Sequence, residues 1–144
     1  MKYFSVVSFS VVVFLVGCTS VQVKPLDSSL AISKVCIEKN EKVIVPQFLE
    51  ILKSGFDRHG ISTEIFHGKA PDECEIVCTY TALRSWDFTP YLSHAELWLR
   101  DQNGKLIAYA EYHLKGGGGF ALNKWASAKS KINPVIDELL VGYR

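Results

Sequence analysis

An apolar run from Phe4 to Val16, interrupted only by Ser5, Ser8 and Ser10, ends at Gly17-Cys18 and decides which part of this chain can fold as a domain. Met1-Lys2-Tyr3 places one positive side chain ahead of it. A membrane-spanning helix needs about 20 apolar residues. This run is shorter and stops at a small residue, so it reads as the n-region and h-region of an export signal. Residues 1–17 are therefore expected to be a signal peptide, 18–32 a tether, and 33–144 a single domain. Removing 17 of the 144 residues leaves 127, enough to bury a self-sufficient core.

Leu15-Val16-Gly17-Cys18 resembles the lipobox of bacterial lipoproteins. The resemblance implies that Cys18 becomes the first mature residue and carries acyl chains such as palmitate. Each buried methylene contributes about 0.8 kcal/mol, and two or three chains make attachment to a membrane stable. Thr19 stands where retention at the inner membrane usually has Asp. The resemblance thus implies the periplasmic face of the outer membrane.

The chain carries 16 Lys and Arg against 15 Asp and Glu, and Lys2 is the only charge in the signal, so the mature part is formally neutral. That balance argues against a nucleic-acid partner. An exported chain meets a compartment that permits disulfides, and Cys36, Cys74 and Cys78 remain available beside Cys18. Cys74 and Cys78 read as members of one strand. Four residues of strand hold their α-carbons about 13 Å apart, beyond the roughly 7 Å reach of a bridge. Cys36 with Cys74 is the expected pair, because each lies near a strand start; Cys36 with Cys78, or three reduced thiols, are the alternatives. A bridge would add about 3–4 kcal/mol in the chain-entropy model. Cys78, between Ile76 and Tyr80 on one side of the strand, then reads as a small buried hydrophobe.

Residues 34–38 alternate as a strand. Phe48, Leu49, Leu52 and Phe56 recur at helical spacing up to His59-Gly60, with Pro46 expected in the first turn. A strand over 61–66 follows, then a loop around Pro71. Residues 74–83 alternate again and continue towards Trp86, Pro90 marks a break, and 93–100 and 105–114 form a hairpin about Asn103-Gly104. After Gly116–Gly119 comes a helix with the stripe Trp125, Ala128, Ile132, Val135, Ile136, Leu139 and Leu140, which Pro134 should kink or split. The order predicts an α+β two-layer sandwich, a mainly antiparallel sheet of about five strands with two helices on one face, β-α-β-β-β-β-α. In that outline the chain resembles small periplasmic domains of accessory lipoproteins. Through Val35-Cys36-Ile37-Glu38, Cys74-Glu75, Tyr80-Thr81-Ala82, Ser85-Trp86-Asp87 and Lys124-Trp125 it resembles a family of short gammaproteobacterial lipoproteins with no assigned activity.

Chemistry-bearing motifs are scarce. Gly116–Gly119 with Phe120-Ala121 fits G-x-G-x-x-A, but the strand before it belongs to an antiparallel hairpin, whereas a dinucleotide site needs a parallel βαβ unit. No nucleotide or other cofactor is expected. His59, His67, His94 and His113 form no helical pair and no Cys-x-x-Cys partnership, so no metal ligands are assigned, although His94 and His113 could face each other across the hairpin. No catalytic residue is assigned either, since no nucleophile elbow is present. Trp86, Phe88 and Tyr91, in an expected loop, together with Gly117 and Gly118, are the candidate partner-binding residues. The expectation is a membrane-anchored, non-catalytic binding or accessory domain with an envelope protein as possible partner. A small thiol-dependent or hydrolytic enzyme using Cys78, and a purely structural lipoprotein, are the alternatives. Replacing Cys18 by Ser is expected to abolish the acyl mass and shift the protein out of the membrane fraction, as read by mass spectrometry and fractionation.

Overall fold

Two-residue alternation builds most of the structure. In the computed structural model, which describes residues 19–115 and 122–143, Ile76, Cys78, Tyr80 and Ala82 are buried on one face of a strand, Ala95, Leu97 and Leu99 on the next, and Ala108, Ala110 and Tyr112 on a third. These strands are β4 (Ile76–Asp87), β5 (Thr89–Asp101) and β6 (Leu106–Leu114), joined as an antiparallel meander. The β5–β6 turn is made by Asp101, whose Oδ1 accepts from the backbone of Asn103 and Lys105, and by Gly104 at φ +77°. Glycine takes that left-handed backbone without a Cβ penalty.

The other half is parallel. Strand β2 (Lys34–Glu38), helix α1 (Phe48–Arg58) and strand β3 (Ser62–Phe66) form a βαβ unit, and β2 also runs parallel to β4. The sheet order is β1-β6-β5-β4-β2-β3, with β1 at Thr19–Lys24. This is an α+β fold with helices packed on a sheet, as expected, but the sheet has six strands and is mixed.

The extra strand corrects the expected tether. All six residues of β1 pair antiparallel with β6, from Thr19 opposite Leu114 to Lys24 opposite Tyr109. The following stretch is held as firmly. Leu26 is buried, its N–H donates to the Leu139 carbonyl, and the Tyr143 hydroxyl donates to the carbonyls of Asp27 and Leu30. Thr-Ser-Val-Gln-Val-Lys carries the alternation of an edge strand, and pairing to β6 satisfies backbone groups that an isolated tether would leave to water.

Helix α1 buries Phe48, Ile51, Leu52 and Phe56, the spacing of one helical face. It begins after Gln47, which is left-handed at φ 58°, so Pro46 lies ahead of the helix rather than in its first turn. It ends in a Schellman arrangement: Gly60 N–H donates to the Asp57 carbonyl and Ile61 N–H to that of Phe56, with Gly60 at φ +70°. Helix α2 (Ala128–Leu139) starts at Ser127, whose side chain accepts from the Ser130 N–H. The break falls here rather than at Pro134, which lies inside α2, and Trp125 belongs to a separate 3₁₀ turn, Leu122–Trp125.

The two helices meet at Gly55, where an added Cβ would lie 2.6 Å from Ile136 Cδ1 and 2.9 Å from Cγ2. Arg58 and His59 close the same interface on Asp137, at 2.6 and 2.9 Å. Burial works to raise the Asp137 carboxyl, but the hydrogen bonds from Arg58 and His59 outweigh it and leave it below the usual aspartate range. Behind the sheet, Cys36 and Cys74 form the expected disulfide, with α-carbons 5.8 Å apart. Cys74 lies just ahead of β4 rather than within it. Phe66 joins the bridge in a small buried cluster. Replacing Gly55 by Val should lower stability by about 1–3 kcal/mol through overpacking, against a gain of only a few tenths of a kcal/mol in helix propensity; denaturant unfolding measures the difference.

Candidate functional site

Strands β4 and β5 run on together past the rest of the sheet. Leu83 pairs with His94, and a bulge at Ser93, whose hydroxyl donates to the Leu83 carbonyl at 3.2 Å, separates that row from Arg84 opposite Leu92. The pairing continues through Trp86 with Pro90 and Asp87 with Thr89. Phe88 forms the tip at φ 58°. The segment expected as a loop with a break at Pro90 is thus a paired hairpin end. Proline is tolerated there because no further strand needs its missing N–H.

This tip is exposed and braced at once. Trp86 is 74% and Phe88 93% exposed. Asp87, between them, is held from the 3₁₀ turn: the Lys124 ammonium pairs with its carboxylate, and Trp125 Nε1 donates to its carbonyl at 3.3 Å. Lys124 is nearly buried and sits 4.9 Å over the Tyr91 ring, a cation–π geometry. Its hydrogen bond to Asp87 raises its affinity for the proton. Lys131 lies beneath, donating to the carbonyls of Leu92 and Lys124 at 3.1 and 2.6 Å. Burial lowers the pKa of its ammonium. Beside this brace lies a cleft of about 280 Å³, lined in part by Pro46, Arg84, Tyr91, Trp125 and Lys129.

Of the candidate contact residues, the structure brings Trp86, Phe88 and Tyr91 to one hairpin and gives them different roles. Trp86 and Phe88 face solvent, whereas Tyr91 is half-buried under two lysines. Gly117, Gly118 and Cys18, the residue expected to carry the lipid, lie outside the described residues. Cys78 is fully buried, and burial pushes its thiol up to about 12. At neutral pH it holds its proton and reaches no substrate, so the thiol chemistry considered for it has no exposed nucleophile.

On the face of the sheet away from the helices, the β5–β6 register assembles a second cluster. His94 lies opposite His113 and Glu96 opposite Glu111. The two imidazoles do face each other, with Nδ1 atoms 3.2 Å apart. The Tyr109 hydroxyl lies 3.0 Å from Glu96 and 3.2 Å from Glu111, one proton between two carboxylates. Burial, with those carboxylates, raises the phenol pKa well above its ordinary value. One ligand atom each from His94, Glu96 and Glu111 fall within 4.8 Å of one another, the donor set among the described residues able to hold a divalent cation. No motif spacing announced this group. Its signal is the palindrome His-Ala-Glu and Glu-Tyr-His about the Asn103-Gly104 turn, which antiparallel pairing folds onto itself.

Neither a family model nor a curated protein matches the sequence. Among the solved structures that share the fold are two of PelC from Paraburkholderia phytofirmans, both in dodecameric form. One covers 87% of this chain and 98% of its own, with a TM-score of 0.56. The other, a single-substitution variant, covers 81% and 96% with a TM-score of 0.53. Each is 14% identical to this chain, so the likeness is one of fold. Substituting Asp87 by Ala is expected to release the hairpin tip without disturbing the sheet. Hydrogen exchange should then quicken at Arg84–Pro90 and stay unchanged at Ile76–Ala82.

Proposed function

We propose that this chain is a lipid-anchored lipoprotein of the bacterial envelope, at the periplasmic face of the outer membrane, whose domain is a non-catalytic binding or accessory module. The sequence around Cys18 supports the anchor. The observation that carries the binding role is the tip of the β4–β5 hairpin. Two large aromatic side chains stand in solvent on a backbone held by an ion pair and an indole hydrogen bond. A braced surface of this kind loses little conformational entropy when it is covered, and exposed aromatics at such a site are the usual anchors of recognition. The domain works close to its anchor, because Cys18 immediately precedes β1 in the chain and leaves no slack between lipid and sheet.

A second reading has a specific observation in its favour. Both fold neighbours are dodecamers, which supports copies of this chain as partners for one another. One experiment serves both. A photo-reactive residue in place of Phe88 in the intact lipoprotein should yield, on irradiation of cells, a covalent adduct with an envelope component, lipid or protein. Products at multiples of the chain's own mass indicate self-assembly, and a tip that yields no adduct of any kind sinks the binding role.

A further inference from the structure

Four paired strands carry position information across the sheet to the end where the chain enters it. Thr19 lies opposite Leu114, and the row below it reads Ser20, His113, His94 and Leu83 across β1, β6, β5 and β4. From that row the hairpin runs on for five residues, from Leu83 to Phe88, roughly 16 Å of strand. The entry of β1 and the tip of the hairpin are therefore at the same end of the sheet. Cys18 directly precedes Thr19 in the sequence, one step of about 3.8 Å between α-carbons. The tip reaches roughly 10 Å farther along the strand direction than Cys18 can, by the same strand rise.

We propose that the β4–β5 hairpin tip docks into the bilayer that holds the anchor, with Trp86 and Phe88 entering its interfacial layer. The proposal rests on the anchor reading above and names the occupant of the same surface. Elements that lie in a membrane interface sink about 5–10 Å below its surface, which matches the overhang of the tip. Tryptophan is enriched at that depth, where its ring meets both headgroup and acyl chain, and Trp86 flanks Phe88, the most exposed aromatic among the described residues. Leu83, 55% exposed, adds apolar surface at the base of the tip.

Charge at this end agrees. Arg84, Lys115 and Lys129 are exposed, the sequence has no acidic side chain between Tyr112 and Ile136, and Asp87 is neutralised by Lys124. Cations above an aromatic tip suit the phosphate layer of a bilayer containing anionic lipid. The acyl chains supply the attachment, and a second, protein-borne contact adds buried apolar area at a separate point. It also sets orientation: with the anchor at one edge strand and the tip two strands away, the sheet stands upright on the membrane and presents its opposite end, with the Gly104 turn, to the periplasm.

The test uses the full-length protein as purified from membranes, reconstituted in phosphatidylethanolamine–phosphatidylglycerol vesicles with brominated acyl chains. Tryptophan emission is read in the wild type and in Trp86→Phe, and intact mass reports acylation at Cys18. Expected is quenching by the shallow-brominated lipid that is lost in Trp86→Phe, and weakened when Phe88→Ser lifts the tip. Quenching of equal size in wild type and Trp86→Phe overturns the docking. If the protein is acylated, the anchor reading then survives alone. Quenching specific to Trp86 in a chain without acyl mass supports the docking and removes the anchor, and the absence of both removes both. A protein adduct at Phe88 in cells, with no Trp86-specific quenching in vesicles, overturns the bilayer as occupant.

Discussion

The antiparallel register of β4, β5 and β6 is the constraint on which the rest of the structure depends. Because side chains alternate with a period of two, this register alone decides which groups lie under the helices and which lie on the open face. It buries Cys78, Tyr80, Leu97, Leu99, Ala108 and Ala110 in the core. It sets His94 against His113 and Glu96 against Glu111 on the other side. It also offers the outer edge of β6 to β1, which draws the start of the described chain into the sheet. A one-residue slip would undo all three.

The helices serve this sheet rather than compete with it. Glycine at position 55 brings α1 against Ile136 of α2, and the two together cover one face only. The open face carries the histidine and glutamate pairs beside a Trp98–Tyr109 aromatic pair, and the Cys36–Cys74 bridge and Phe66 make a small second cluster there. That cluster ties β2 to the approach of β4, in the parallel half where strand pairing is slightly less stable per residue. The bridge thus reinforces the half of the sheet that needs it more. At the other end the 3₁₀ turn and α2 reach over the hairpin through Lys124, Trp125 and Lys131, turning what would be an independent flap into part of the body.

Much of this was legible in the sequence, for identifiable reasons. The helix stripes, the Asn103-Gly104 turn and the alternation of residues 74–114 are local signals, and local signals decided the layers and the element order. The Cys36–Cys74 pair was legible because each cysteine lies near the start of a strand, and two strand starts meet in one sheet. Less legible were elements whose state depends on a distant partner. Thr19–Lys24 has a strand's alternation, but an edge strand exists only if a neighbour offers its backbone groups. Trp86–Tyr91 contains a proline and polar residues typical of a loop, and is paired because Lys124 and Trp125 hold Asp87 from nearly forty positions away. Pro134 sits inside α2 because packing of Ile132, Val135 and Ile136 against the core outweighs the hydrogen bond that proline removes.

By itself, the sequence determined which faces of the helices and strands are apolar and where the Asn103-Gly104 hairpin turns, since each follows from periodicity or turn chemistry over a few residues. Only the tertiary structure decided the mixed strand order, the recruitment of residues 19–24 to the sheet edge, the meeting of two histidines and two glutamates, and the common end shared by the chain's entry and its aromatic tip. Those are relations between segments far apart in the chain. They are settled by which edges remain unpaired and which surfaces remain uncovered once the core has closed.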